Sequence, residues 1–236
     1  MQLFRDTSFS LPSVNYSKEI KHGPELTNKN QNFILQGYKF SVYTRIVCLV
    51  LHSKKATFQY QECNPFENQS DCLHPFQRVP CLSHNGDVIF ETNAITRYLD
   101  RVLPNPLLQP NSPFEMAKME QIISIIDQYA YWPMIREVFE HRVFRPKEGL
   151  VGDEAVIRDG LVKSHKILNV FEYMAGHAPV LDAQNFTLAD PHLAPILDYL
   201  QRAPEGRDAL SCYPRLSRWF DHIAQTEMMQ DTDPEF

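Results

Sequence analysis

Two short segments combine residue types that can hold a small peptide-like anion. Val79-Pro80 precedes the apolar stretch Cys81 to Ser83, which predicts a strand with an extended backbone edge. Glu91-Thr92 follows a second predicted strand and opens a helical pattern. A helix N-terminus presents N–H groups without intrahelical partners and favours negative charge. We therefore expect a backbone edge and a helix N-terminus to lie together as two halves of one binding site.

The second of these segments also has a purely structural interpretation. Thr92 can serve as the N-cap of the helix, and Glu91 can be a solvated acid at the end of a strand. In the binding interpretation, the Thr92 N–H and hydroxyl receive a carboxylate while Glu91 pairs with an ammonium group. The combination with Val79-Pro80 and with Ser41 favours binding.

A third segment, Ser41-Val42-Tyr43, lies between the first predicted strand and the first predicted helix. A Ser41 hydroxyl at this helix terminus can donate a hydrogen bond to a bound thiolate. Lowering a thiol pKa from about 8.5 to about 6.5 requires about 2.7 kcal/mol, and one charge-assisted hydrogen bond contributes about 1.5 to 3 kcal/mol. Alternatively, Ser41 only caps the helix and Tyr43 packs between domains.

The composition is that of an ordinary globular protein. Of 236 residues, 43% are hydrophobic and 22% charged, and 23 basic against 29 acidic side chains give a net charge of −6. The sequence shows no basic patch interleaved with aromatics, no apolar run long enough to span a membrane and no signal-peptide pattern. We therefore expect no nucleic-acid partner, no membrane partner and a cytoplasmic location.

The cysteines and histidines do not form a recognisable scaffold or metal motif. Five cysteines, Cys48, Cys63, Cys72, Cys81 and Cys212, are an odd number without Cys-x-x-Cys spacing. This argues against a disulfide framework and against a zinc site. The nine histidines are scattered without helical ligand spacing. We expect no metal, and we interpret Cys48 as a core residue of a helix.

The hydrophobic pattern divides the chain into an arm and two domains. Residues 1–32 are rich in Ser, Asn and Lys without a sustained period, which predicts a flexible arm. The pattern of residues 33–104 predicts the order strand, helix, strand, loop, strand, strand, helix, which is typical of an α/β domain. A proline-rich linker at 105–113 leads to residues 114–236, where every periodic segment is helical. Pro133 is expected to disturb the longest of these helices.

These segments resemble the glutathione S-transferase superfamily over roughly Phe33 to Gln225. The resemblance implies a thioredoxin-like N-terminal domain that binds glutathione and an all-helical C-terminal domain that lines the electrophile site. It also implies a cis Val-Pro bond and an N-capping box with a role in folding. It rests on Ser41-Val42-Tyr43, Arg78-Val79-Pro80, Glu91-Thr92-x-Ala94-Ile95 and Thr187-Leu188-Ala189-Asp190.

The resemblance implies a role for each residue of the predicted glutathione site. Val79 and Pro80 hold the cysteinyl part of glutathione. Glu91 and Thr92 hold its γ-glutamyl end. Ser41 lies at the thiol and is the expected catalytic residue. Serine rather than cysteine at this position favours conjugation to carbon over thiol transfer.

The electrophile pocket is expected from an aromatic and basic cluster in the long helix, together with the first loop. The cluster consists of Tyr129, Tyr131, Trp132 and Arg136. For Trp132, packing between domains is an alternative of equal weight. Arg136 can instead pair with Glu140 one helical turn later. The candidates for this pocket are Tyr43, Tyr129, Trp132 and Arg136.

The expected protein is a cytoplasmic, homodimeric glutathione transferase of the detoxification type. Its co-substrate is glutathione and its second substrate is a small hydrophobic electrophile. Two alternatives keep the same fold. One is a non-catalytic protein that binds glutathione or hydrophobic ligands or serves as an interaction domain, which the arm at 1–32 favours. The other is a glutathione-dependent isomerase or peroxidase.

Overall fold

The computed structural model describes residues 32–67, 71–103, 105–177, 180–182 and 185–236. The arm predicted for residues 1–32 lies outside these residues, apart from Asn32. No helix in the described ranges is both long enough and apolar enough to cross a membrane.

The first half of the chain folds around a four-stranded mixed sheet. The strands are β1 (Phe33–Gly37), β2 (Phe58–Glu62), β3 (Cys81–His84) and β4 (Asp87–Phe90), in the order β2-β1-β3-β4. β1 is parallel to β2 and antiparallel to β3, and β3 and β4 form a hairpin. The parallel pair requires a crossover, since a tight turn can join only antiparallel strands.

Two helices complete this domain. α1 (Val42–Ser53) makes the crossover between β1 and β2, and α2 (Thr92–Val102) follows β4. Leu35 of the sheet, Ile46 of α1 and Ile95 of α2 are fully buried in one core. The thioredoxin-like order predicted for this half is confirmed. Between β2 and β3, the described residues contain neither helix nor strand.

The loop after β2 contains a disulfide, although the cysteine count argued against a disulfide framework. Cys63 and Cys72 are bonded, with their Cα atoms 6.2 Å apart, while Cys48, Cys81 and Cys212 are free. An odd count guarantees a free thiol but does not forbid one local bridge. Pairing depends on how the loop brings two Cα atoms together, which sequence spacing does not reveal. The expectation was wrong for this pair.

The second half of the chain is helical, as predicted. The helices are α3 (Pro113–Ile125), α4 (Arg145–Lys147), α5 (Glu154–His177), α6 (Ala189–Arg202), α7 (Pro204–Ser211), α8 (Pro214–Ala224) and α9 (Glu227–Asp231). α6 is buried along most of its length, and α3, α7 and α8 pack against it.

Between α3 and α4 the chain continues as π-helix rather than α-helix. The π-helical segments are Ile126–Ala130 and Trp132–Phe144. Pro133 cannot donate to the helical hydrogen-bond ladder and crowds the preceding turn, and π-helical turns are one way to accommodate such an interruption. The disturbance predicted at Pro133 therefore extends over several turns, and it rotates the side chains of this region relative to an α-helix.

A buried ion pair joins the end of α1 to α2, and both of its members also hydrogen-bond to the segment that follows α2. Lys54 and Asp100 are paired with both side chains fully buried. Asp100 also accepts hydrogen bonds from the N–H groups of Leu108 (2.8 Å) and Gln109 (3.1 Å). Burial acts to raise the Asp100 pKa, but the hydrogen bonds from Lys54, Gln109 and Leu108 outweigh it, so this pKa is lowered. The segment predicted as a linker, 105–113, is thus held against the first half. The domain limits remain a prediction.

Candidate functional site

A cavity of about 740 Å³ lies between the two halves, within the range of about 300 to 1,000 Å³ that is typical of ligand pockets. Tyr129, with 60% of its surface exposed, is not among the lining residues. Among the described residues, no group of three or more His, Cys, Asp or Glu is arranged to hold a metal ion. The predicted site residues in the lining are Ser41, Tyr43, Val79, Pro80, Glu91, Thr92, Trp132 and Arg136.

Ser41 occupies the N-cap position of α1. Its backbone is extended (φ −78°, ψ 121°), and its Oγ accepts a hydrogen bond from the Thr44 N–H at 3.2 Å. This bond uses a lone pair of the hydroxyl and does not consume its hydrogen. The two interpretations of Ser41, helix cap and donor to a bound thiolate, are therefore compatible.

The turn that carries Ser41 is fixed by a close approach of β1 to α1. A Cβ atom on Gly37 would lie 2.2 Å from Thr44 Cγ2, so only glycine fits there. The Tyr38 N–H donates to Thr44 Oγ1 (3.3 Å), and the Ser41 N–H donates to the Tyr38 carbonyl (2.8 Å). These contacts hold the Ser41 hydroxyl at the edge of the cavity.

Val79-Pro80 has the geometry that the resemblance implied. The bond between the two residues is cis, and β3 begins directly after it at Cys81. Both residues line the cavity. The backbone of Val79 is therefore next to the sheet without being part of its ladder, in reach of a bound peptide.

The N-terminus of α2 also opens into the cavity, but its cap differs from the prediction. α2 begins with Thr92, and Glu91 holds the N-cap position with φ 69° and no side-chain cap bond. The N-cap interpretation of Thr92 was therefore wrong by one residue. Thr92 is 8% exposed, whereas the Glu91 side chain is 66% exposed. The free N–H groups of this first turn are available to an anion in the cavity.

A buried histidine lies next to Glu91. His74 Nε2 lies 3.6 Å from Glu91 Oε1, and His74 Nδ1 accepts a hydrogen bond from the Phe76 N–H at 3.1 Å. The ring proton is therefore on Nε2, facing Glu91. Burial lowers the His74 pKa and outweighs the opposing charge of Glu91. A histidine held neutral in this way does not compete with a ligand cation for the Glu91 carboxyl group. Nothing in the sequence distinguished His74 from the other histidines.

Tyr43 joins the two halves through its aromatic ring. The ring packs on Tyr131 with centroids 4.9 Å apart, and Asp127 lies close enough for its charge to act on the Tyr43 hydroxyl. Burial and then the charge of Asp127 raise the Tyr43 pKa, so the phenol stays protonated. Asp127 also accepts a hydrogen bond from Asn93 Nδ2 at 2.8 Å. Tyr43 thus packs between the halves and also lines the cavity. The cavity residues Asp127 and Asn93 were not predicted as site residues, whereas Tyr131 belongs to the aromatic and basic cluster expected to face the ligand.

The π-helical part of the second half contributes an aromatic and basic region of the lining. Trp132 is 62% exposed, so burial between the halves does not explain it. Arg136 Nη1 lies 2.9 Å from Glu140 Oε2, the ion pair expected at this spacing, and also faces the cavity. This region suits an apolar ligand. Its aromatic residues are Tyr131, Trp132, Phe139 and Phe144, and Phe40 of the first loop packs on Phe144.

Two family models match the chain. The model described as "Glutathione S-transferase, N-terminal domain" matches residues 35–101, and "Glutathione S-transferase, C-terminal domain" matches residues 126–227. The chain belongs to the glutathione S-transferase family. The resemblance drawn from the four short sequence segments is confirmed.

Individual glutathione S-transferases are similar over most of their length. Glutathione S-transferase F6 of Arabidopsis thaliana is 27% identical over 202 residues, covering 82% of this chain and 95% of the relative. A glutathione S-transferase of Hyoscyamus muticus is 31% identical over 150 residues, covering 62% and 69%. The solved structure of glutathione S-transferase III in apo form has a TM-score of 0.75 at 26% identity, covering 85% of this chain and 95% of that one.

Proposed function

We propose that this glutathione S-transferase family member joins the thiolate of glutathione to a carbon atom of a small hydrophobic electrophile. The observation that carries the proposal is that Ser41, Val79-Pro80 and Glu91-Thr92, from three separate segments, line one cavity. Two of the segments are helix N-termini, which favour negative charge. A peptide that places a thiol at the N-terminus of α1 and a carboxylate at the N-terminus of α2 matches this arrangement.

In the proposed complex, the backbone of Val79 pairs with the cysteinyl part of glutathione as an added strand would. Thr92 and the first turn of α2 receive the γ-glutamyl carboxylate, and Glu91 accepts the ammonium group. The Ser41 hydroxyl donates to the sulfur. Together with the α1 terminus it lowers the thiol pKa, so the proton leaves to solvent at neutral pH.

The thiolate then attacks the electrophilic carbon. A carbon–sulfur bond forms, and a leaving group such as halide departs with the electron pair of the bond that breaks. The aromatic region around Trp132 and Tyr131 holds the electrophile, with Arg136 at its edge. Tyr43 also lines the cavity, and it supports Tyr131 by packing against its ring.

A two-step experiment tests the proposal. The purified chain is passed over immobilised glutathione, and the retained protein is assayed with glutathione and a generic aromatic halide. We expect retention and conjugation. Retention without conjugation would favour the non-catalytic binder or the isomerase and peroxidase alternatives, and failure to be retained would contradict the glutathione site.

Replacing Glu91 with glutamine is expected to raise KM for glutathione about fivefold and to leave kcat nearly unchanged. The substitution removes the charge that pairs with the ammonium group, and the side chain's exposure limits the loss to about 1 kcal/mol. Steady-state kinetics with glutathione as the varied substrate measure this effect.

The control for Glu91→Gln is Asp87→Asn, which removes an exposed carboxylate at the other end of β4 and is expected to leave KM unchanged. A glutathione analogue without the α-amino group sharpens the test. Its KM should be the same for wild type and Glu91→Gln, because the partner of Glu91 is absent. An equal loss with both ligands would show that Glu91 acts otherwise.

We extend the proposal to a homodimer that works in the cytoplasm. Phe76 and Phe114 are 69% and 66% exposed, and large exposed aromatic side chains suit a surface that a second copy covers. Sedimentation velocity of the wild-type chain is expected to give twice the mass of one chain. A purely monomeric boundary at micromolar concentration would contradict the assembly, and cell fractionation tests the location.

A further inference from the structure

Phe236, which lies beyond α9, packs behind the aromatic part of the cavity lining. Its ring centroid is 5.2 Å from that of Phe40, 5.0 Å from that of Phe139 and 6.5 Å from that of Phe144. These three rings, here called the aromatic wall, line the cavity, whereas Phe236 itself does not. Phe236 therefore supports a part of the lining to which both halves of the chain contribute.

The contacts of Phe236 join two otherwise separate parts of the aromatic wall. Phe40 packs on Phe144 with centroids 5.5 Å apart, and Phe139 packs on Tyr199 with centroids 4.8 Å apart. Within the described residues, Phe236 is the one ring that contacts both of these pairs. The position of Phe139 relative to Phe40 and Phe144 therefore depends on the ring at residue 236.

The Phe236 ring is itself held on several sides. It meets Tyr199 edge to face, with centroids 4.9 Å apart and an interplanar angle of 86°, a geometry that aromatic pairs prefer. Arg202 Cζ lies 4.8 Å and Lys147 Nζ 5.4 Å from the ring centroid, close enough for cation–π attraction. Lys147 Nζ also donates to the Glu235 carbonyl at 3.3 Å.

The backbone that leads to Phe236 is attached to both halves of the chain. Arg45 of α1, which is 3% exposed, donates from Nη2 to the Met229 carbonyl (3.0 Å) and from Nε to Thr232 Oγ1 (3.4 Å). Arg202 of α6 donates from Nη2 to Asp233 Oδ2 at 2.6 Å. The fold therefore sets the place of Phe236 before any ligand binds.

We propose that Phe236 is a positioning residue for the electrophile, because it holds the aromatic wall in the shape that an apolar group on the glutathione sulfur contacts. This inference rests on the proposed function, which supplies both ligand parts. Removing the ring leaves a void behind the wall, and packed side chains relax only partially into such a void. The wall then samples other arrangements, and the apparent affinity falls with the fraction that is competent.

The glutathione part of the cavity should not respond to this change. The predicted glutathione contacts at Val79 and at Glu91-Thr92 lie at the starts of β3 and α2, which are not part of the aromatic wall. Ser41 is held by the turn contacts of Tyr38 and Thr44. A general structural loss would weaken both ligand parts, whereas loss of a positioning residue weakens the electrophile part alone.

The direct test is calorimetric titration with two thioethers, S-methylglutathione and S-hexylglutathione, which differ only in the apolar group on sulfur. Phe236→Ala is expected to raise Kd for S-hexylglutathione about tenfold and to change Kd for S-methylglutathione by less than about twofold. Phe236→Tyr keeps the ring at this partly exposed position and should restore Kd to within about twofold of wild type. The control is Tyr173→Ala, which removes a 63% exposed ring of α5 and should match wild type with both ligands.

Equal Kd values of wild type and Phe236→Ala for S-hexylglutathione would overturn the inference, as would a parallel loss with both ligands. If Phe236→Ala does not fold, Phe236→Leu decides, with an expected rise of about threefold for S-hexylglutathione alone. If wild type binds neither thioether, the proposed function fails too. If both thioethers bind and Phe236 variants make no difference, only this inference fails.

A double-mutant cycle tests whether Phe236 acts through the aromatic wall. Phe139→Leu removes a wall ring but keeps an apolar side chain. Because both substitutions disturb the same ring contact, the loss of S-hexylglutathione affinity in Phe139→Leu/Phe236→Ala should be smaller than the product of the two single losses. A combined loss equal to that product would show that the two residues act independently, and would overturn the positioning role through Phe139.

Discussion

Replacing Ser41 with alanine is expected to lower kcat for conjugation by about 100-fold while Kd for glutathione changes by less than about twofold. The hydroxyl hydrogen bond to sulfur strengthens when the sulfur is a thiolate, and a charge-assisted bond contributes about 1.5 to 3 kcal/mol. The remaining contacts of glutathione, at Val79 and at the start of α2, are untouched. Loss of an interaction that favours the reactive anion lowers turnover more than binding.

The same substitution also removes the cap bond from the Thr44 N–H, which costs about 1 kcal/mol of folding stability. Two variants separate this effect from the chemistry. Ser41→Thr keeps a hydroxyl and is expected to retain most of the turnover. Ser112→Ala changes another N-cap serine, one that makes no side-chain cap bond, and should change neither turnover nor stability.

The pH dependence of the Ser41→Ala enzyme gives an independent readout. In wild type, kcat/KM should rise with pH through the lowered pKa of bound glutathione. In Ser41→Ala, the rise should move upward, toward the value of about 8.5 for a free thiol. A profile at the wild-type position, or unchanged turnover, would remove Ser41 from the proposed mechanism.

The fold could be predicted because its signals are local. The strand and helix periods and the proline-rich segment after α2 each specify structure over a few residues. The order of these elements then restricts the topology, since the parallel pair β1 and β2 needs the crossover that α1 supplies. Ser41, Val79-Pro80 and Glu91-Thr92 could be predicted for the same reason, because each lies at the end of an element.

The parts that sequence reasoning missed depend on contacts between distant segments. His74 becomes part of the site only because the fold places it next to Glu91. Asp127 becomes part of it only because the fold places it next to Tyr43 of the other half. Tyr129 illustrates another limit. An α-helical period groups it with Trp132 and Arg136, but the extra residue in each π-helical turn shifts the faces. Tyr131 then lines the cavity and Tyr129 faces outward.

Asp190 is expected to be the residue of the helical half whose substitution lowers folding stability most. It is 1% exposed and accepts hydrogen bonds from the Thr187 N–H (2.7 Å), the Thr187 hydroxyl (2.9 Å) and Trp219 Nε1 (2.8 Å). Half of the predicted capping box at α6 is thus formed: Asp190 accepts from the Thr187 N–H, whereas Thr187 Oγ1 accepts from the Ala189 N–H (3.3 Å) and Leu188 holds the N-cap position. Pro191 does not conflict with it, because α6 begins at Ala189 and the third residue of a helix has no intrahelical acceptor for its N–H.

Replacing Asp190 with alanine is expected to lower the free energy of unfolding by about 3 to 5 kcal/mol. Three buried donors lose their acceptor, and each unsatisfied group costs about 1 to 3 kcal/mol. Since domains of this kind have about 5 to 15 kcal/mol in total, much of the protein should be unfolded under mild denaturing conditions. Urea unfolding measures the effect, with Asp221→Ala, an exposed carboxylate on α8, expected to change stability by less than about 0.5 kcal/mol.

The pH dependence distinguishes the buried carboxyl of Asp190 from a merely well-packed side chain. Burial raises its pKa to about 6, outweighing the hydrogen bonds from Thr187 and Trp219 that lower it. Because the unfolded value is about 3.9, the folded state binds more protons between these two values, and the contribution of Asp190 to stability falls as pH rises from about 4 to about 6. Asp190→Asn cannot titrate, so the stability advantage of wild type over this variant should shrink by about 3 kcal/mol across that interval. A difference that stays constant with pH would show that the carboxyl has an ordinary pKa, and that its hydrogen bonds fully offset its burial.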